Sequence, residues 1–278
     1  MHPHVQGLDH VVILVRDLDR ARDAWVRMGF EPTARGEHSI GSRNHCLMLG
    51  RDYVELLAVP VPHPSMTYFT EFLARREGLG AVSIANDDAV AAADAMRAAG
   101  VEVGAPMDFS RDVDTPQGPR AARFRVAQLA PDATPAARLF LCQHFTPELV
   151  WRPHEQVHPN GATGIAGLAV ASDEPAGAAR AWARAFGSTP LETSEGWRVE
   201  TGSAPVLFAP HARLARRIGA TRLPPDTGPR VAALFVCVAD RERAARVLEQ
   251  RGAPGARLED GSIAIGADAA GGVAVILG

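Results

Sequence analysis

The sequence predicts an α+β chain of four βαβββ units, paired into two tandem domains with curved mixed sheets. Two observations carry this reading. An apolar, strand-like run recurs at residues 7–17, 78–88, 164–174 and 230–240, and each run leads into a short helical pattern closed by glycine. After the first two helices, β-prone runs broken by turn residues fill the chain before the next repeat. Recurrence at roughly 65 to 85 residues marks a repeated supersecondary unit.

The first unit opens on "GLDHVVILVRD", a strand whose apolar run carries His10. Its helix, "LDRARDAWVRMG", places Ala21, Trp25 and Met28 on one stripe, the pattern of a buried helix face. The runs "FEPTARGEHSIG", "NHCLMLG" and "DYVELLAVP" supply the three following strands. In the second unit the strand "GLGAVSIANDD" leads into "AVAAADAMRAAG", then "VEVGAPMDFS", "RAARFRVAQL" and "ARLFLCQHF". A connector rich in Pro, Gly and His, "PELVWRPHEQVHPNGATG", separates an N-terminal domain (1–150) from a shorter C-terminal one (160–278). Its His154 and His158 are expected to be partly exposed. The third and fourth units repeat the strand and helix as "GIAGLAVASDE" with "PAGAARAWARAFG", and "RVAALFVCVAD" with "RERAARVLEQRG".

Asp17, Asp88, Asp173 and Asp240 sit where a helix cap accepts free amide protons. Gly29, Gly100, Gly187 and Gly252 can take the left-handed conformation that stops a helix. Pro175 suits a first helical turn. Trp25 and Trp182 hold equivalent places on repeated helices, which reads as packing, and so do Trp151 and Trp197.

Composition excludes more than it suggests. At 278 residues the chain can bury a sizeable core, and its net charge of −3 gives no field for gathering nucleic acid or anionic lipid. The first residues lack the basic and apolar regions of a secretory signal. No apolar run reaches the ~20 residues of a membrane span, so a cytoplasmic chain is expected. Cys46, Cys142 and Cys237 form no CxxC pair, against a disulfide framework or zinc ribbon. All 29 basic residues are arginine, which removes Schiff-base lysines, pyridoxal phosphate enzymes and P-loops from consideration. There is no GxSxG elbow and no dinucleotide fingerprint.

The stretches "GLDHVVILVRDLDRA", "NHCLMLGRDYVELLAVP" and "LFLCQHFTPELVWRPHEQVHPNGA" resemble the vicinal oxygen chelate superfamily, and within it the glyoxalase-like domain proteins. That resemblance implies paired units enclosing a cup, with a divalent metal held by the first and last strands of each unit. Carried onto this chain, the positions are His10 and Glu55. Imidazole and carboxylate suit Zn, Ni, Mn or Fe(II). In the second unit the first-strand position is Ala81, which cannot ligate. Aligning "YVELL" with "LCQHF" sets Gln143 opposite Glu55 and His144 one residue on; alternation lets only one of the two face the cup. The same residues also read as a metal-free pair, with His10 hydrogen-bonded to Glu55 and Glu55 a general base.

Arg111, Arg123 and Arg125 lie on or near strands that would wall the cup; the resemblance implies that such positions meet an anionic or hydroxylated substrate, which a guanidinium fits, while the alternating arginines of "RAARFRV" also read as an exposed strand face. His45 lines the cup, faces solvent or makes a backbone contact, the last two being favoured. The third and fourth units offer Gly167, Ala233 or Leu234 and "GGVAVILG", without donors, and read as scaffold, pocket wall or dimer surface. The resemblance therefore implies a metal-dependent isomerase, lyase or dioxygenase acting on a small oxygenated metabolite. The alternative is a metal-free protein that binds a small molecule or sequesters an antibiotic. The expected partners are that small molecule and a second copy of the chain, with no nucleic acid or membrane.

Overall fold

The computed structural model describes residues 1–38 and 41–278. The first unit is β1 (Val5–Leu14), α1 (Leu18–Arg27), β2 (Gly36–Glu37), β3 (Arg43–Met48) and β4 (Tyr53–Ala58). A helix, α2 (Thr67–Arg75), leads to the second unit: β5 (Gly78–Asn86), α3 (Ala89–Ala98), β6 (Met107–Thr115), β7 (Gly118–Gln128) and β8 (Arg138–His144). The third unit is β9 (Ala162–Ala171), α4 (Pro175–Phe186), β10 (Leu191–Thr193), β11 (Gly196–Val199) and β12 (Val206–Ala209). After α5 (His211–Ile218) come β13 (Arg230–Val238), α6 (Arg241–Gln250), β14 (Ala256–Arg257), β15 (Ile263–Ile265) and β16 (Ala274–Leu277). Two eight-stranded mixed sheets result, in the orders β2-β3-β4-β1-β5-β8-β7-β6 and β10-β11-β12-β9-β13-β16-β15-β14. Edge strands β2 and β6 approach one another, so the first sheet curls nearly into a barrel.

Local chemistry explains the helix ends. Asp17, Asp88 and Asp240 accept backbone N–H bonds from the first turns of α1, α3 and α6. Asp173 does not cap α4: Glu174 precedes the helix without a side-chain bond, and Pro175 has no N–H to satisfy at its start. The closing glycines at 29, 100, 187 and 252 all have positive φ.

One face of each sheet carries the helices, and these faces share a single core. Val11, Ile13, Leu56 and Val82 of the first sheet join Leu168, Val170, Leu234 and Val275 of the second, with Trp25, Met96, Trp182 and Leu248 of the helices between. The concave faces therefore point away from one another. On the second, α5 lays Leu214 and Ile218 on a bed of alanines that includes Ala169, Ala171, Ala209, Ala233, Ala264 and Ala274. On the first, Met66, Phe69 and Phe72 cover Val12, Leu14, Leu57 and Ala81. The βαβββ pattern predicts neither α2 nor α5; for α2 the signal is Pro64 followed by apolar residues at 66, 69 and 72.

The connector locks the halves together. His158 is buried, not partly exposed: its Nδ1 accepts the Glu31 N–H at 3.0 Å and its Nε2 donates to Met48 O at 2.8 Å. Asn160 donates to Met28 O at 3.0 Å. Asp52, in the β3–β4 turn, reaches across to β9 and accepts the Ile165 N–H with both oxygens, at 3.0 and 3.1 Å. Burial pushes this carboxyl up to about 6. The folded protein thus holds the Asp52 proton more tightly than the unfolded chain, and stability falls as pH rises from the unfolded value of ~4 to about 6. Asp52→Asn keeps an acceptor and removes the charge. It should raise stability above pH 6 by about 1–2 kcal/mol and show no gain near pH 4, in urea melts across that range.

Candidate functional site

The site begins with an irregularity in β1. Leu8 pairs with Ile84 of β5 and His10 with Ser83, so Asp9 is an extra residue without a partner. This β-bulge turns two neighbouring side chains, Asp9 and His10, to the same side. Asp9 Oδ2 accepts from His10 Nδ1 at 2.5 Å and from His144 Nε2 at 3.0 Å, with the Ser83 hydroxyl at 3.4 Å. Burial pushes the Asp9 carboxyl up, but the charge of His144 and the hydrogen bonds from both imidazoles outweigh it and hold the group well below the usual carboxylate range. An ionised Asp9 fixes the proton of His10 on Nδ1, which leaves Nε2 as the basic nitrogen of the neutral ring.

That nitrogen lies 3.7 Å from Glu55 Oε2, just beyond hydrogen-bond distance. Glu55 is held from its other side, where Asn44 Nδ2 donates to Oε1 at 2.6 Å. Tyr53 stacks under His10 with ring centroids 4.3 Å apart, and Phe140 meets its edge at 5.4 Å. His10 and Glu55 thus keep one free atom each, both turned to the same cavity.

The cavity measures about 100 Å³, several times the ~10–15 Å³ that one water needs. Its walls are mostly apolar: Val12, Leu57, Met66, Phe69, Phe109, Phe124, Val126 and Phe140, with Arg111 and Arg138 among them. His38, which sequence reasoning missed, also lines it; burial holds its ring below the ordinary histidine value. Asp9 was missed as well, because strict alternation sends it to the opposite face from His10.

The second unit departs from the sequence alignment. His10 pairs with Tyr53 in β1–β4, and its counterpart Ala81 pairs with Arg138 in β5–β8. Two residues on, the counterpart of Glu55 is therefore Phe140, not Gln143. An odd slip reverses the face, and Gln143 turns outward: its amide donates to Asp87 O at 2.6 Å and accepts the Ala89 N–H at 3.1 Å. His144 faces inward but meets Asp9, not Glu55. Arg123 stands exposed on the outer face, its guanidinium 5.8 Å from the Phe145 ring, and does not reach the cavity. Of the readings open to His45, the backbone contact holds: it is buried, donating to Thr33 O at 2.7 Å.

The donors present do not complete the metal site that the resemblance implies. His10 and Glu55 occupy their positions, but Ala81 and Phe140 stand where the second unit would contribute. Among the described residues, the His, Cys, Asp and Glu group with donor atoms mutually within 4.8 Å is Asp9, Cys142 and His144. This trio can hold an ion only if the Asp9 hydrogen bonds give way and Cys142 ionises, and burial pushes that thiol well above its usual value.

Gly36 guards the Glu55 bond. It pairs directly with Asn44, and a methyl group there would overlap Asn44 Oδ1. Gly36→Ala should cost about 1–3 kcal/mol in thermal or urea unfolding. In an Asn44→Ala background the same change should cost almost nothing; an equal cost in both backgrounds would place the clash elsewhere.

Comparison with known proteins agrees with this architecture. A hypothetical protein from Staphylococcus aureus superposes with a TM-score of 0.68 at 12% identity, covering 98% of each chain. A mutant 4-hydroxymandelate synthase from Streptomyces coelicolor gives 0.57 at 18% identity, over 92% of this chain and 77% of that one. A xylose isomerase-like TIM barrel/4-hydroxyphenylpyruvate dioxygenase fusion protein gives 0.59 at 15% identity, over all of this chain and 49% of its own. At these identities the likeness is one of fold. No curated protein matches the sequence. No helix among the described residues is long and apolar enough to cross a membrane. The family model for a glyoxalase-like domain matches residues 8–186, well over half of the chain. With the βαβββ units and the nearly closed sheet around His10 and Glu55, the match shows that the chain belongs to the glyoxalase-like domain family of the vicinal oxygen chelate superfamily.

Proposed function

We propose that the chain is a glyoxalase-like enzyme that moves a proton on a small oxygenated metabolite in the first cup. The observation that carries this is the pair of free atoms, His10 Nε2 and Glu55 Oε2, 3.7 Å apart on the cavity wall with Asp9 and Asn44 fixing them from behind. Glu55 takes a proton from a carbon beside a carbonyl, and the electron pair of the broken C–H bond moves to the carbonyl oxygen. Glu55 then returns the proton to the neighbouring carbon as the enolate's electron pair comes back, while His10 Nε2, on the same cavity wall, relays a proton between the two substrate oxygens. Such placed acid–base groups contribute about 10²–10⁴-fold.

A second reading, metal-dependent chemistry, draws on the same pair. An imidazole whose far nitrogen is anchored on a carboxylate is the usual setting of a metal-bound histidine. The missing second-unit donors weigh against it. One experiment separates the readings: elemental mass spectrometry of tag-free protein, beside a screen of 2-oxo and 2-hydroxy compounds for deuterium uptake in D₂O. Uptake without bound metal, lost in Glu55→Gln, supports the acid–base reading. Stoichiometric metal lost in His10→Ala supports the second. Compounds that bind but never exchange, in a protein that takes up no metal, would sink both and leave a binding protein.

A further inference from the structure

The reading above assigns the reacting end of the cavity and leaves its charge balance unexplained. One carboxylate, Glu55, shares the walls with two guanidinium groups, Arg111 and Arg138. Arg138 is engaged: its Nε donates to Leu129 O at 3.0 Å and its guanidinium lies 5.4 Å from the Tyr68 ring. Arg111 makes no ion pair and no side-chain hydrogen bond among the described residues.

Its position on β6 makes this unusual. Met107, Phe109 and Arg111 line the cavity and Val113 packs beside them, while the acids of the strand, Asp108, Asp112 and Asp114, alternate to the outside. There Asp108 takes Arg125 in a two-pronged bond at 2.6 and 2.9 Å. So the outward arginine has a carboxylate, and the inward one sits alone in an apolar row. Arg111 lies at the seam where β6 approaches β2, close to Gly36, and its charge acts on both His38 and Cys46. Around it, Phe109 stacks on Phe124 with centroids 4.9 Å apart, and Phe69 and Phe140 add two further aromatic walls.

We propose that Arg111 seats the anionic end of the substrate, and that the substrate class is a small monocarboxylate with an apolar body. The inference rests on the acid–base reading for which end reacts. A guanidinium fork matches a carboxylate with two parallel hydrogen bonds, and a half-buried, otherwise unpaired one discriminates strongly against a neutral isostere. The aromatic walls take the rest of the molecule by apolar contact.

The test is a titration of the full-length protein with benzoate and phenylacetate against benzamide and phenylacetamide, by calorimetry or ligand-observed NMR. The acids should bind at least about tenfold more tightly than the amides. Arg111→Gln should bring the two series level. Arg123→Gln, on the outer face, should leave the preference intact. Equal affinity of acids and amides in the unmodified protein overturns the assignment without recourse to any variant. So does failure of every probe to bind, or a preference that survives Arg111→Gln. A preference for acids in a protein that exchanges no proton on any of the screened compounds sustains the Arg111 assignment and sinks the chemistry instead.

Discussion

Replacing His10 by alanine is expected to cut turnover by about 10²–10⁴-fold while the protein stays folded. The ring is buried and stacked on Tyr53, so its loss leaves a gap, yet it does not strand the charge behind it. Asp9 keeps the hydrogen bond from His144 and its neighbour Ser83. The stability cost should therefore stay near 1–3 kcal/mol, roughly that of one lost buried hydrogen bond. Steady-state rates on any compound that exchanges in the D₂O screen, beside a thermal melt, separate the two effects. Unchanged turnover in a folded variant would remove His10 from the chemistry.

The second large effect concerns stability. Asp9 is buried and holds two imidazoles at once. Asp9→Ala removes the carboxylate from both, leaving His10 Nδ1 without a partner and His144 Nε2 with only the Cys142 sulfur at 3.6 Å. Breaking a buried charged network in this way costs about 3–5 kcal/mol. For a chain of this size that corresponds to a fall in Tm on the order of 10 °C. The pH dependence carries a second signature. Because the folded carboxyl titrates below its ordinary value, its contribution is fully present above the unfolded value of ~4 and is lost as pH falls toward the folded one. The gap between wild type and Asp9→Ala in urea melts should thus narrow as pH falls below 4. A gap that did not narrow in acid would show that the carboxyl is not held ionised by its histidines.

Much of the architecture was legible because it repeats. Strand, cap, helix and glycine recur with enough regularity that three of the four aspartate caps and all four closing glycines stand where the pattern puts them. The site was legible only in part. His10 and Glu55 lie on strands whose alternation is regular between residues 10 and 14 and across β4, so their facing could be read. Asp9 could not, since a bulge depends on how β5 pairs with β1 and leaves no mark in the local pattern. Gln143 was misplaced for a related reason. "LCQHF" and "YVELL" look alike in hydropathy, but the sheet aligns Glu55 with Phe140, and an offset of odd length exchanges inside for outside. Arg111 and Arg123 are alike in sequence; only the pairing of β6 with β7 sends one inward and the other out.

The outward-facing hollows have a last consequence. Because the sheets stand back to back on a common core, a molecule entering one hollow never meets the other. Helix α5 and its alanine bed could therefore close the second without touching the chemistry of the first. What remains there is a filled hollow, its alanine floor covered by Leu214 and Ile218. Thinning the apolar side of α5 at Leu214 and Ile218 is where an engineer would begin to reopen it.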